Sequence, residues 1–271
     1  MSRMTANPYV PDRCFEYRMT SGKQLEYRIM ISIPADEPPP DGYAVIYALD
    51  GDAVFQTLVE TVRLQTRKPK GFGPILVVGI GYPSKEPFDA DRRCRDFTMQ
   101  TGNASLPVRP DGSPWPPHGE AEDFLDFLEH ELKPAISQEW PVDPSRQAIV
   151  GHSLGGLFTL HALFTRTHLF THYVAGSPST WWAENLLFKE LDSFTEVWKG
   201  ECPVHLLLTI GADELPDMLE GAEQVAQRLR PFSGKGVRME WVKFADENHV
   251  SVLPSALGRI PRFLWTNSTD I

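Results

Sequence analysis

The sequence predicts an α/β fold, a mostly parallel central sheet with helices on both faces. Short, continuously apolar runs recur at residues 44–49, 75–80, 148–150 and 204–210. Such runs fit strands that are covered on both faces. Helical patterns lie between them at 53–66, 120–138, 157–167 and 218–229. Strands alternating with helices imply a parallel sheet wrapped by helices. The chain begins differently. Leu25, Tyr27, Ile29, Ile31 and Ile33 alternate with mostly polar neighbours, which marks a strand with one buried face.

Taken in order, Phe15 and Tyr17 begin a partner for that first strand, with Ser21-Gly22 as the turn between them. A proline-rich loop at 35–42 leads into the first continuous apolar run. The stretch 88–118 breaks the rhythm, being rich in proline and poor in periodicity. A loop this long inside a compact domain is usually functional or disordered, and an insertion covering the active site is expected there. A strand at 147–150 precedes a helical pattern that starts at Gly155. The last strand is expected at 237–244, followed by an irregular loop at 245–248 and a helical pattern at 252–265. No internal repeat is visible. The expectation is one domain over 1–271 with a lid-like loop insertion at about 88–118.

Composition narrows the function. With 271 residues, 41% of them hydrophobic, a packed core is easily supplied. The net charge of −10 and the lack of a basic stripe argue against nucleic-acid binding. An anionic ligand therefore needs a local cluster of arginines. Cys14, Cys94 and Cys202 make a poor disulfide framework and read as free thiols in a reducing cytoplasm. No C-x-x-C or H-E-x-x-H motif points to a metal, and no organic cofactor is implied. The first residues lack an apolar leader, and no apolar run reaches membrane-spanning length. The expected partner is a small molecule, with no membrane attachment and a cytoplasmic location.

The chemistry is carried by Gly151-His152-Ser153-Leu154-Gly155, a G-x-S-x-G motif between a strand and a helix. In that setting a tight, strained turn presents the serine hydroxyl above the sheet, at a helix N-terminus that favours developing negative charge. Together with the antiparallel start and parallel remainder, this suits an α/β-hydrolase fold. A serine needs a base to remove its proton, and in this fold the order is serine, acid, histidine. His205 lies inside an apolar strand. His249 follows the last strand and precedes a helix, the position of the base. The acid should follow the strand at 204–210. Glu214 is the first choice, Asp213 the second and Asp217 the third. The oxyanion hole needs two backbone N–H groups, expected from Leu154 and from Asp52 in the Asp50-Gly51-Asp52 loop.

Four segments occur in a fixed order: Tyr47-Ala48-Leu49-Asp50-Gly51, Arg92-Arg93-Cys94-Arg95-Asp96-Phe97-Thr98, the Ser153 motif with Gly156, and Ser177-Pro178-Ser179-Thr180-Trp181-Trp182. Together they resemble the esterase family that includes esterase D and the mycolyltransferases, and more narrowly its trilactone siderophore hydrolases of the enterobactin and bacillibactin type. The resemblance runs from about Phe15 to Trp265. It implies serine and histidine chemistry on esters of catecholate siderophores or their ferric complexes, with an acid that is variable or missing in some members. Met99 stands where that family usually has proline.

Arginine suits planar anionic oxygen groups, so Arg93, helped by Arg92, is expected to meet an anionic or catechol-rich part of the substrate. The bland alternative is a cluster closed by its own salt bridges. Trp181 and Trp182 are expected to wall an aromatic ligand pocket; the alternative is packing in the core or lid. The function expected is ester hydrolysis through an acyl-enzyme. An acyltransferase or an S-formylglutathione hydrolase-like esterase on the same site, and a non-catalytic binding protein on a hydrolase scaffold, are the rivals.

Overall fold

The computed structural model describes residues 11–109, 112–200 and 202–265; residues 1–10, whose sequence predicts no apolar leader, lie outside that range. The strands are β1 Cys14–Thr20, β2 Glu26–Ser32, β3 Tyr43–Ala48, β4 Ile75–Gly81, β5 Val142–His152, β6 His172–Gly176, β7 Val204–Gly211 and β8 Val237–Phe244. They form one sheet in the order β1-β2-β4-β3-β5-β6-β7-β8. The pairs β1–β2 and β2–β4 are antiparallel, and all later neighbours are parallel.

The helices are α1 Gly51–Gln65, α2 Ala90–Phe97, α3 Ala121–Phe127, α4 Lys133–Glu139, α5 Leu154–Thr165, α6 Trp182–Val197, α7 Pro216–Leu229, α8 Val252–Leu257 and α9 Ile260–Trp265. A π turn, Leu128–Leu132, joins α3 to α4 just before Pro134, which has no N–H to give to the helical ladder. Among the described residues, no helix is long and apolar enough to cross a membrane.

The apolar runs are continuous because the sheet is covered twice. Val45 and Tyr47 of β3, and Leu49 just after it, enter the cluster that includes Phe124 and Phe158. Ala44, Ile46 and Ala48 enter the opposite cluster with α1, α8 and α9. Burying each large apolar side chain contributes about 1.5–3 kcal/mol. Helix α5 is buried from Gly155 to Phe164, so it presents no polar face of its own.

Two elements fall outside the sequence expectation. Strand β6 has only five residues, beginning with the buried His172. Helix α6 buries Leu187, Leu191 and Phe194, a helical spacing obscured by the intervening acidic residues. The stretch 88–118 also departs from a plain loop, because it contains α2. That helix is mostly charged and buries Cys94, Asp96 and Phe97. Beyond it the chain is irregular, and Trp115 packs on Trp181 and Trp182 with ring centres 5.9 and 5.4 Å away.

Candidate active site

Four neighbouring parallel strands, β5 to β8, end at the same edge of the sheet. In open α/β sheets, ligands bind at the carboxyl ends of the strands. Ser153 follows β5, Ser177 follows β6, Glu214 follows β7 and His249 follows β8.

Ser153 has φ 60° and ψ −117°, a strained conformation for a residue with a Cβ. The turn is held by the Ser153 N–H, donated to the Gly176 carbonyl at 2.9 Å. The close approaches in the motif fall on particular glycines. A Cβ at Gly151 would lie 2.1 Å from the Gly155 carbonyl oxygen, and one at Gly156 would lie 2.5 Å from that of Gly176. At Gly155 the nearest atom would be 3.5 Å away, ordinary contact, so the motif's second glycine is less constrained than its first.

The Ser153 hydroxyl lies 3.0 Å from His249 Nε2, and His249 Nδ1 lies 2.7 Å from Glu214 Oε2. A carboxylate only accepts, so Nδ1 carries the proton and Nε2 is left to accept from Ser153. The His249 side chain is 41% exposed, whereas that of Glu214 is fully buried. The other oxygen of Glu214, Oε1, accepts from the Ser177 hydroxyl and, at 3.0 Å, from the Gly211 N–H. Burial works to raise the carboxyl's pKa. The hydrogen bonds from His249, Ser177 and Gly211 outweigh it, and Glu214 titrates below its ordinary value. Asp213 and Asp217, the lower-ranked acids, are both exposed, and Asp217 sits in the first turn of α7.

His152 packs against the base, with ring centres 4.6 Å apart. Burial, reinforced by His249, pushes its pKa down to about 4. A neutral ring therefore lies beside His249 at physiological pH.

Asp52 and Leu154 lie in the first turns of α1 and α5, where backbone N–H groups have no acceptor within the helix. Their strands, β3 and β5, are adjacent and parallel, so the two helix starts share one edge. The Asp52 carboxylate is drawn aside by Arg28 and by the Tyr82 N–H.

The pocket that opens on Ser153 has a volume of about 250 Å³ and is lined by Ser179, Trp181, Glu214, Leu215, Met218 and His249. Trp181 thus stands where a ligand wall was expected. Trp182 does not. It is fully buried, and its indole N–H is donated to the Met99 carbonyl at 3.0 Å, so it belongs to the core.

The two arginines also differ from expectation, since neither lines this pocket. Arg92 spends its guanidinium on the Glu26 carbonyl and Asp96, and lies 4.8 and 4.7 Å from the Tyr27 and Tyr82 ring centres. Arg93 is bound to Asp50 and to the His152 carbonyl. Their charges are consumed internally because α2 buries the face that carries them. Burial lifts Asp96 to about 6 against the pull of Arg92.

Ser177 and Ser179 escaped the residue-by-residue reading. Ser177 supports Glu214, and the Ser179 hydroxyl lies 3.4 Å from that of Ser153. The available signal was their place after a strand adjacent to the nucleophile strand, and β6 itself was too short to be recognised. Among the described residues, no three His, Cys, Asp or Glu side chains gather as metal ligands.

The wiring of Glu214 gives an expected result. Glu214→Gln keeps the size but cannot stabilise an imidazolium as a carboxylate does. Its loss in kcat should be about a hundredfold milder than that of removing the nucleophile, the spread seen between acid and nucleophile in another serine hydrolase. Because the folded-state pKa is depressed, the ionised carboxylate stabilises the fold above its ordinary value of 4.5. That contribution is lost as pH falls through the lowered value. Thermal unfolding of parent and variant should therefore differ most near neutrality and converge in acid. An equal gap at pH 7 and pH 3 would contradict this assignment.

A family model described as "Putative esterase" matches residues 22–215. The chain is 44% identical over 256 residues to the ferri-bacillibactin esterase BesA of Bacillus subtilis, covering 92% of this chain and 88% of that one. It is 34% identical to the siderophore enterobactin esterase of Emericella nidulans, covering 78% of each. The crystal structure of the BES protein from Bacillus cereus superimposes with a TM-score of 0.91 at 34% identity, over 97% of this chain and 100% of that one. The matched segment includes the β3–α1 turn, the Ser153 turn and Glu214, and by these measures the chain belongs to the esterase family, on an α/β-hydrolase fold.

Proposed function

We propose that this protein is a serine hydrolase that opens the ester bonds of a siderophore trilactone of the catecholate kind. The observation that carries the reading is the unbroken line from Glu214 through His249 to Ser153, ending at an open pocket. Ser153 attacks the ester carbonyl while His249 Nε2 takes its proton. The N–H groups of Asp52 and Leu154 hold the oxyanion. His249 then protonates the leaving alkoxide, and the same base activates the water that releases the acyl-enzyme. Glu214 keeps the imidazole in its tautomer and balances the charge it acquires.

The relatives support the substrate class, since their names give ferri-bacillibactin and enterobactin as what they act on. The pocket adds to this. Trp181, Leu215 and Met218 offer apolar walls for one ester arm. We read residues 1–271 as one catalytic domain in which Trp115, from the stretch 88–118, backs Trp181. Free thiols at Cys14, Cys94 and Cys202 suit a cytoplasmic enzyme.

The test is a hydrolysis screen of tri-catecholate trilactones, with and without iron, against p-nitrophenyl acyl esters and S-formylglutathione. The trilactone is expected to have the highest kcat/KM. Preference for S-formylglutathione, or transfer of the acyl group to an added alcohol in place of water, would overturn the reading.

A further inference from the structure

Arg93 occupies a place that ligand binding does not explain. Its Nε donates to Asp50 Oδ1 at 2.6 Å, and its Nη2 donates to the His152 carbonyl at 3.3 Å. The two acceptors belong to the two turns that would build the oxyanion hole. Asp50 is the residue before α1. It has φ 51° and ψ 44°, and its carbonyl accepts the N–H groups of Ala53 and Val54, so its placement sets the first turn in which Gly51 and Asp52 lie. Its side chain makes no cap hydrogen bond to α1 and is turned to Arg93. His152 is the residue directly before Ser153, and its carbonyl belongs to the peptide that carries the nucleophile's N–H.

The guanidinium is itself held in place. Its side chain is 12% exposed, and that of Asp50 is 2% exposed. Phe88 and Phe97 flank it, with ring centres at 5.1 and 5.9 Å. Helix α2, which carries it, is anchored by the neighbouring Arg92 between the Tyr27 and Tyr82 rings. A planar fork with fixed donors can bridge two acceptors at once, which a lysine ammonium on a flexible stem does poorly.

We propose that Arg93 is a positioning residue for the reaction, a clamp that fixes the spacing between the α1 and Ser153 turns and so keeps the Asp52 and Leu154 N–H groups aimed at one oxygen. The inference rests on the serine hydrolase reading above. It makes Arg93 act on every ester, because the oxyanion is common to all of them and the clamp does not touch the acyl group. A misplacement of about 1 Å can cost a hundredfold in rate, and loss of one oxyanion donor costs about 10²–10³.

The experiment uses Arg93→Ala and Arg93→Lys in the full chain, with two substrates and an organophosphate that phosphorylates Ser153. Both variants are expected to lose about a hundredfold in kcat on p-nitrophenyl acetate and on a tri-catecholate trilactone alike, with KM little changed. Labelling should still reach one organophosphate per chain, at a rate reduced in parallel with kcat. Added guanidinium ion should restore part of the Arg93→Ala rate.

A loss confined to the trilactone would make Arg93 a substrate-binding group and overturn the clamp. So would unchanged turnover on both substrates. Fewer labelled sites, each reacting at the parent rate, would show that Arg93 serves stability alone. Lysine keeps the charge and most of the volume, so this readout survives if the alanine variant fails to fold. If the parent protein is not labelled at Ser153, the serine hydrolase reading fails, an outcome distinct from normal labelling of the Arg93 variants.

Discussion

Ser153→Ala is expected to yield a folded protein whose turnover of activated esters is at least about a thousandfold below that of the parent. Both halves follow from what the side chain does. Among the described residues its hydroxyl has hydrogen-bond partners in His249 Nε2 and the Ser179 hydroxyl, and the residue is half-buried. The one buried group that loses a partner is the Ser179 hydroxyl, whose 3.4 Å contact is long, so the cost to the fold is small. The strained dihedrals belong to the turn, and alanine has the same Cβ as serine, so the backbone cost is common to both proteins. Catalysis loses the group that forms the covalent bond. The residual rate is what the oxyanion hole and substrate binding can give to direct attack by water. The measurements are kcat/KM on p-nitrophenyl acetate, a thermal unfolding curve, and mass spectrometry after organophosphate treatment. The parent should gain one adduct on the tryptic peptide containing Ser153, and the variant none. A folded variant with near-normal turnover would remove Ser153 from the mechanism.

The parts of this site that could be read from the sequence share a physical cause. The Ser153 motif is dense in glycine because backbone passes close on both sides, and that constraint is written into composition. The strands β3, β4 and β7 are covered on both faces, so their positions are nearly all apolar, His205 and Thr209 of β7 being the exceptions, and a run of that kind is hard to mistake. Glu214 and His249 were narrowed by chain order alone, since each must follow a particular strand.

What was not legible depended on side-chain direction. The arginine cluster is rich in charge, yet the sequence does not reveal which way α2 turns its faces. Arg92 and Arg93 proved to be directed into the molecule because Cys94, Asp96 and Phe97 are its buried positions. Trp181 and Trp182 are adjacent and chemically identical. One walls the pocket and the other is core, a difference set by where α6 begins. Ser177 and Ser179 are small polar residues in a turn, the commonest of patterns. Their roles emerge only when β6 is placed beside β5 and β7.

His249→Ala should be as damaging as loss of the nucleophile, and the double variant with Ser153→Ala little worse than either single one. The reason lies in the hydrogen-bonded line. Ser153 without a base is an ordinary alcohol, and His249 without Ser153 has no proton to take in the acylation step. Two groups that perform one step cannot be charged for it twice, so their effects are strongly non-additive. No neighbour can replace the base. Among the described residues, the imidazole that packs on it is His152, 4.6 Å between ring centres, but its Nδ1 has no hydrogen-bond partner there and burial pushes its pKa down to about 4. A group that weak holds a proton poorly at neutral pH and drives general-base catalysis little. The opening left by His249 is accessible, because its side chain is 41% exposed in the parent. Imidazole added to His249→Ala should therefore restore measurable turnover, and should restore none to the double variant. The quantity to compare is the coupling between the two substitutions in kcat. If the losses multiply, so that the double variant falls roughly another thousandfold below the singles, Ser153 and His249 act in separate steps and the shared line between them is not the catalytic one.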